Sequence, residues 1–266
     1  MDRALDVRQF YLAHERSIIG AGTLIAALAI WELVARAGLI DPLFIAAPSR
    51  IARAGYTLMA TGEIWPDLRV SGSEFLLGYV LAAIVGIPIG LATGWYRRLS
   101  FLLGPFVDTL NAVPRLTLMP LIVIWFGIGI WSKVVVVFLG AVIPILIACH
   151  SGVRTNEARF IKVARSFGAS QLKIFSSIIL PGTVPFIFTG LKYGAGRALL
   201  GVVVGELYAA TAGIGHMIGE AGNTFQTDVM FFGILLFTAT GLLTVGLLNL
   251  CERRFETWRP KVGAAA

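Results

Sequence analysis

Long apolar runs, separated by short polar segments, make up most of the chain. A helix needs about 20 consecutive, mainly apolar residues to cross the hydrocarbon core of a bilayer. Between the first two runs, Ser49 is predicted to cap a short helix over residues 50–58, which is either an interfacial helix on the outer surface or a surface connector. The pattern predicts an all-α membrane protein with six transmembrane helices, whose apolar runs cover residues 18–34, 75–96, 102–128, 134–149, 178–210 and 230–250.

The composition and the placement of charge agree with this membrane assignment. Of the 266 residues, 57% are hydrophobic and 14% are charged, whereas about 25% of the residues of a soluble domain are charged. If both termini are cytoplasmic, fourteen Lys and Arg residues lie on the cytoplasmic side and five lie on the other. This is the positive-inside bias of membrane proteins. The net charge of +7 therefore indicates topology, and we expect no nucleic-acid partner.

Glycines recur along one face of the second and fifth apolar runs. Gly86, Gly90 and Gly94 are four residues apart, so they share a helical face and let another helix approach closely. Gly201 and Gly205 repeat this spacing in the fifth run. We expect these glycines to be helix-packing positions, and a dimer interface is one place for the contact of the fifth run.

The third run is broken by two prolines and carries polar side chains. Pro114 and Pro120 each remove an intrahelical hydrogen bond, which is tolerated where the backbone is buried in protein or faces a wet cavity. Because intramembrane polar groups are costly, we expect some of them to line a translocation pathway, while snorkelling or pairing near the cytoplasmic end is the alternative for the two charged ones. The pathway candidates are Asn111, Arg115 and Thr117, and the run also contains Asp108.

The fifth run contains two charged residues, Arg197 and Glu206. They are nine residues apart, which places them on opposite sides of a helix and about 13.5 Å apart along its axis. They cannot pair with each other on an unbroken helix, so each needs a partner elsewhere in the protein or water. We expect both to border the translocation pathway or the dimer interface, with structural pairing as the alternative.

A polar segment between the fourth and fifth runs has the pattern of a short amphipathic helix. Its apolar positions follow the i, i+3, i+4, i+7 spacing of one helical face, and Lys162 lies on another face. Gly168 is placed to end this helix, and a second short helix is predicted over residues 170–175. Pro181 is predicted to open the next span, where a missing N–H group does little harm. The apolar positions are Phe160, Val163, Ala164 and Phe167.

This segment resembles the cytoplasmic signature of the membrane permease subunits of binding-protein-dependent ABC importers. That signature is Glu-Ala-Ala, three residues, Gly, nine residues, Ile, one residue and then Leu-Pro. Lys162 and Val163 stand where the family has Glu and the first Ala, which puts an ion pair of that Glu in doubt and preserves the apolar face. The matching positions are Lys162, Val163, Ala164, Gly168, Ile178, Leu180 and Pro181.

Flanking runs resemble the branch of this family that imports nitrate, sulfonates, taurine and related small anions. The similar stretches are WELVARAGLIDPLFIAAPSR, LLGYVLAAIVGIPIGLATG, PLIVIWFGIG and GLKYGAGRALLGVVVGELYAA. The resemblance implies a type I importer in the bacterial inner membrane. Two permease subunits, expected to form a homodimer, would work in the lipid bilayer with two ATP-binding subunits and an extracytoplasmic substrate-binding protein. The residues that this implies for ATPase coupling are Phe160, Lys162, Val163, Ala164, Phe167, Gly168 and Pro181. An amphipathic helix that lies on the inner membrane surface is the alternative for this segment.

The resemblance also suggests how the chain is organised. Residues 1–74 would hold an N-terminal cytoplasmic segment, the first span and an outer interfacial segment. Residues 75–254 would form the core permease domain, with a cytoplasmic coupling loop at 154–177. Residues 255–266 would form a cytoplasmic tail.

No motif for independent chemistry is found in the sequence. The phosphate-binding pattern G-x-x-x-x-G-K-[ST] does not occur, so ATP hydrolysis is expected in a partner and this chain is expected to be non-catalytic. His14, His150 and His216 lack a second ligand at three or four residues' distance, so no metal or other cofactor is expected. A secondary transporter, which broken helices also suit, is the alternative function, although no inverted repeat is evident.

Overall fold

The computed structural model describes residues 2–41, 43–155 and 158–255, with the backbone alone for residues 2–14, 16, 17, 115, 116, 158 and 159. All regular structure in these residues is helical, and the predicted all-α membrane fold is confirmed. A 3₁₀ turn spans Arg115–Leu118 and a π turn spans Phe175–Ile179. The α-helices are α1 (Asp2–Arg36), α2 (Pro48–Thr61), α3 (Ile64–Trp95), α4 (Arg97–Ala112), α5 (Met119–Phe126), α6 (Ile130–Thr155), α7 (Ala158–Ser166), α8 (Gln171–Ile174), α9 (Leu180–Ala209), α10 (Ile214–Asn223) and α11 (Thr227–Arg253).

Five helical stretches of the described chain are long and apolar enough to cross a membrane. They are Ile18–Arg36, Ile64–Trp95, Ile130–Thr155, Gln171–Ala209 and Thr227–Arg253. The third predicted span, over residues 102–128, is instead two shorter helices joined by the 3₁₀ turn. The break lies at Val113, which is extended (φ −68°, ψ 125°) because the ring of Pro114 disfavours a helical conformation in the residue before it.

The chain divides into two compact units. One comprises Met1–Glu63 with Ile218–Ile234, and the other comprises Ile64–Met217 with Leu235–Ala266. In the first unit, α2 begins at Pro48 and its N-cap is Ala47, so the prediction that Ser49 caps this helix is wrong. The Ser49 hydroxyl instead donates to Glu32 Oε1 over 2.6 Å, and the Ser49 N–H donates to Glu32 Oε2 over 2.9 Å.

The core of the second unit is a three-helix layer in which α6 packs against both α3 and α9. The fully buried side chains at its apolar centre are small or β-branched, and small side chains allow the helices to pack closely. Fully buried members include Ala82 on α3, Val137, Ala141 and Ile145 on α6, and Ala198 and Val202 on α9.

The glycines of α3 face the α6 backbone at close range. A Cβ on Gly90 would lie 2.5 Å from the Leu146 carbonyl oxygen, and one on Gly86 would lie 3.0 Å from the Val142 carbonyl oxygen. A Cβ on Gly94 would lie 2.6 Å from Val153 Cβ. Any side chain at these positions would force α3 away from α6.

The glycines of α9 face α6 from the other side. A Cβ on Gly201 would lie 3.0 Å from Val137 Cα, and one on Gly205 would lie 3.0 Å from the Lys133 Cγ. The five glycines selected from the sequence are therefore all directed at α6 within one chain. Since α6 is enclosed on two sides, its side chains can carry polar interactions that are sealed from lipid.

Candidate functional site

The α7–α8 loop, residues 158–174, has one apolar edge that packs on its own chain. Ile161 and Ala164 lie against a buried cluster formed by Val153, Ile174 and Ile179. These contacts fix the loop against the ends of α6 and α9. The orientation of α7 is thus set by the core of its own unit.

The other apolar edge of α7 is exposed in the single chain. Phe160 is 53% exposed, Val163 is 50% exposed and Phe167 is 87% exposed, and Lys162 is also exposed. Of the predicted apolar face, Ala164 therefore turns inward while the three larger side chains turn outward. A strip of two phenylalanines and a valine in contact with water is costly unless a partner covers it.

Gly168 ends α7 in a Schellman motif. Its φ is +74°, a conformation that glycine adopts without a Cβ penalty. The Ala169 N–H donates to the Ala164 carbonyl over 3.0 Å, and the Gly168 N–H donates to the Arg165 carbonyl over 2.9 Å. Ser170 then caps α8 by accepting from the Lys173 N–H over 3.3 Å. The sharp turn and the second short helix are where the sequence predicts them.

The loop continues into α9 without a break. Pro181 lies in the first turn of α9, as predicted, but α8 and the π turn already run helically into it, giving one stretch over Gln171–Ala209. The Leu180 N–H donates to the Phe175 carbonyl five residues earlier, and this wider turn accommodates the proline, which has no N–H to donate. A displacement of α8 is therefore passed directly to α9.

A cavity of about 550 Å³ lies between the end of α3 and the α8 region. Trp95 and Phe175 meet at its edge with ring centroids 5.5 Å apart and an angle of 65°, which is a favourable edge-to-face geometry. Pro88 and Leu172 also line the cavity. The loop thus contacts α3 through aromatic packing and α9 through the continuous helix.

A second cavity, of about 370 Å³, lies at the break between α4 and the 3₁₀ turn. Asn111 and Arg197, two of the predicted pathway residues, line it together with Pro114 and Leu200. Thr117, a third, belongs to the 3₁₀ turn, where its hydroxyl donates to the Pro114 carbonyl over 2.6 Å. The side chain of Arg115, the fourth, lies outside the described part of the structure.

Glu206, the remaining pathway candidate, lies in a different place. It is 1% exposed and its carboxylate is fully engaged. Ser71 Oγ donates to Oε1 over 2.5 Å, and the Gly215 N–H donates to Oε2 over 2.5 Å. Ser71 Oγ in turn accepts from the Ile214 N–H over 2.8 Å, so Glu206 and Ser71 together hold the start of α10.

Three further residues extend this buried network, and the sequence reasoning did not select them. Asp67 Oδ1 accepts from the Gly213 N–H over 2.8 Å. Glu74, 1% exposed, forms an ion pair with Lys133, 5% exposed, in which Lys133 Nζ lies 3.4 Å from Glu74 Oε1. Asp67, Ser71 and Glu74 follow the i, i+4, i+7 spacing of one helical face. This spacing is the sequence signal from which the polar face of α3 could have been predicted.

A second polar pair lies between α3 and α6. His150 Nδ1 is 3.2 Å from Thr93 Oγ1, and both line a cavity of about 290 Å³ that Asp108 also borders. Across the described residues, no group of three or more His, Cys, Asp or Glu side chains is arranged to hold a metal ion.

Comparisons with known proteins agree on one family. The family described as "Binding-protein-dependent transport system inner membrane component" matches residues 86–257. The taurine transport system permease protein TauC of Escherichia coli is 34% identical over 92% of this chain and 90% of its own length. The SsuC protein of Bacillus subtilis, named as an aliphatic sulfonates transport permease, is 34% identical over 87% of this chain and 84% of its own length.

A solved structure has the same fold. It is an inward-facing conformation of the MetNI methionine ABC transporter, with a TM-score of 0.60 and 17% sequence identity. The alignment covers 74% of this chain and 94% of the chain in that structure. At this identity the similarity concerns the fold alone.

Proposed function

Because the chain belongs to the family of inner membrane components of binding-protein-dependent transport systems, we propose that it forms the translocation pathway of an ATP-driven importer for small organic anions of the sulfonate class. It is a multi-pass permease subunit of the inner membrane. Membership of the family implies association with an ATPase and a substrate-binding protein. The chemistry of ATP hydrolysis belongs, in this proposal, to the ATPase partner.

The solute class is supported by the names of the relatives. Two that match over most of their length are named for taurine transport and for aliphatic sulfonates transport. Both solutes carry a sulfonate group on a small aliphatic body. We propose that this chain imports a solute of the same kind, delivered by the binding protein from outside the membrane.

The proposed assembly contains two copies of this chain and two ATPase subunits. Both chain termini and the α7–α8 loop would lie in the cytoplasm, where the excess of Lys and Arg favours them. The binding protein would dock on the opposite side of the membrane. A homodimer is the expected pairing because of the resemblance to this branch of the family.

Coupling to the ATPase is proposed to run through the exposed edge of α7. The single observation that carries it is the exposure of Phe160, Val163 and Phe167 on a helix that its own chain holds in place. Amphipathic helices bind partner grooves through apolar anchors at this spacing. An ATPase groove that accepts these three side chains would remove them from water.

The proposed transport mechanism is alternating access, driven by the ATPase through α7. Closure of the two ATPase subunits would move α7 and α8, and two routes would carry that movement into the membrane. One is the Trp95–Phe175 contact with α3, and the other is the continuous helix from α8 into α9. The cavity at the break after α4 would open to one side of the membrane and then to the other.

The test is a pull-down of the ATPase by the Phe167→Asp variant. Because Phe167 is 87% exposed, the substitution should leave the fold unchanged within about 0.5 kcal/mol, yet a charge on the apolar edge should abolish ATPase binding. Tyr56→Asp is the matched control, since Tyr56 is an exposed aromatic residue of α2. It should retain ATPase binding.

Two results would contradict the proposal. The first is normal ATPase recovery with Phe167→Asp. The second is solute uptake by the chain reconstituted without an ATPase, which would favour a secondary transporter, the class that the broken helices after α4 also suit.

A further inference from the structure

Arg197 is a cation in the middle of a membrane-spanning helix. It lies about 25 Å along the axis from the start of α9 and about 18 Å from the end. Its side chain is exposed, and it has no hydrogen bond or ion pair with any residue that the structure describes. A charge at this depth is expensive in lipid, so it marks a solute or ion pathway unless a partner neutralises it.

Two other cations on the long helices of this unit, Lys133 on α6 and Lys192 on α9, are paired. Lys133 forms an ion pair with Glu74, and Lys192 forms one with Glu252. Lys192 is only five residues before Arg197 on the same helix. Lys133 and Lys192 thus have carboxylate partners, whereas none of the described residues supplies one to Arg197.

The face of α9 that contains Arg197 is uncovered. Tyr193, four residues earlier, is 70% exposed, and Leu200, three residues later, is 58% exposed. The adjacent side of α9, with Ala198 and Gly201, is buried against α6, so Arg197 lies at the edge of the packed face. The Arg197 side chain is therefore exposed outside the packed core and borders the cavity at the break after α4.

The 370 Å³ cavity places a second polar group beside this face. Asn111 lines it with Arg197, and its amide N–H groups can donate to an oxyanion. The volume is in the range of small-molecule sites, about 300–1,000 Å³. The planar guanidinium offers paired N–H donors that suit an oxyanion with several equivalent oxygens.

We propose that Arg197 is the anion-contact residue of the pathway, with the Asn111 amide as a second donor, and that it sets the preference for sulfonates over uncharged solutes of the same size. This inference rests on the function proposed above. None of the described residues binds the guanidinium, so it is available to a passing anion. Release requires only that the contact stay weak, which a wet cavity with one cation provides.

The test uses the complete importer in proteoliposomes, with its ATPase and binding protein, and radiolabelled taurine or ethanesulfonate as the probe. Two quantities are measured: the uptake rate, and ATP hydrolysis stimulated by the binding protein. Arg197→Gln should lower uptake about tenfold or more, because a charge-assisted contact is lost, while stimulated ATP hydrolysis stays unchanged. Arg197→Lys should give intermediate uptake. Lys192→Gln, which removes a paired cation from the same helix, should transport at the wild-type rate.

Each result has a distinct meaning. Uptake by Arg197→Gln equal to that of Lys192→Gln overturns the inference and leaves the proposed function standing. Loss of stimulated ATP hydrolysis in Arg197→Gln, recovered in Arg197→Lys, assigns Arg197 to contact between subunits and also overturns it. A wild-type importer that takes up neither anion contradicts the proposed function, and this inference with it.

Discussion

Glu206 and Arg197 lie nine residues apart on α9, and their surroundings are opposite. Glu206 is 1% exposed and accepts hydrogen bonds from Ser71 and from the Gly215 N–H. Arg197 is exposed and has no partner among the residues described. The same helix therefore contains one buried charged side chain, Glu206, and one exposed charged side chain, Arg197.

This difference shows what an intramembrane charge can and cannot indicate. Both residues satisfy the expectation that a charge in an apolar run is functional or paired. The local structure decides between these outcomes: Glu206 lies near the start of α10, whose N–H groups need acceptors, while Arg197 lies beside the break after α4. The first charge organises the fold, and the second is available to a ligand.

Removing Glu206 should have the largest effect on stability. Glu206→Ala leaves the Ser71 hydroxyl and the Gly215 N–H without an acceptor and removes one of the two buried carboxylates near Lys133. We expect a loss of about 3–5 kcal/mol, the range for breaking a buried charged network. Arg197→Ala should change stability by no more than about 0.5 kcal/mol. The free energy of unfolding of both variants is measured by denaturation in mixed micelles, followed by tryptophan fluorescence. Equal losses of stability in the two variants would contradict this prediction.

Glycine substitutions test the two faces of α9 in the same way. A Cβ at Gly201 would lie 3.0 Å from Val137 Cα, whereas one at Gly196 meets nothing within 4 Å. Gly201→Ala should therefore cost about 1–3 kcal/mol through overpacking against the α6 backbone. Gly196→Ala should be neutral or stabilise by less than about 1 kcal/mol, since alanine favours the helix. The same denaturation experiment measures the stability of both variants. A destabilised Gly196→Ala would contradict this prediction, because it would mean that a neighbouring group packs against Gly196.

The smallest effect is expected for the ion pair of Lys192 with Glu252. Both side chains are partly exposed, with Lys192 at 25% and Glu252 at 18%. Lys192→Gln should destabilise the protein by about 1 kcal/mol or less, because partly solvated pairs contribute little. If Lys192→Gln lost as much stability as Glu206→Ala, the cost would come from removing any intramembrane charge and would not depend on how deeply the charge is buried.

Much of the fold and of the loop follows from the sequence for local reasons. Apolar runs of about 20 residues predict spans, and the spacing of Phe160, Val163 and Phe167 predicts a helix that the structure contains. Gly168 ends that helix because the turn requires a positive φ, which glycine adopts without steric cost. These features depend on neighbours within a few residues, which the sequence displays directly.

The remaining features depend on contacts between distant residues. The second span was predicted from residue 75, although α3 begins at Ile64, because Asp67 and Glu74 interrupt its apolar pattern. Their partners are Gly213 and Lys133, which become neighbours only after folding. Pro114 predicted an interruption of the third run, but the sequence did not show that α4 ends completely at this point. Likewise, nothing local distinguishes Arg197 from Glu206.

Cysteine accessibility at the two kinds of position tests the central comparison most directly. In a Cys251→Ser background, where the native Cys149 is buried, Arg197→Cys and Ser71→Cys are treated with a charged, membrane-impermeant thiol reagent in the assembled importer, with and without ATP. We predict that Arg197→Cys is modified in at least one nucleotide state and that Ser71→Cys stays unmodified in both. An unreactive Arg197→Cys in both states, or a Ser71→Cys that reacts equally fast, would contradict the account.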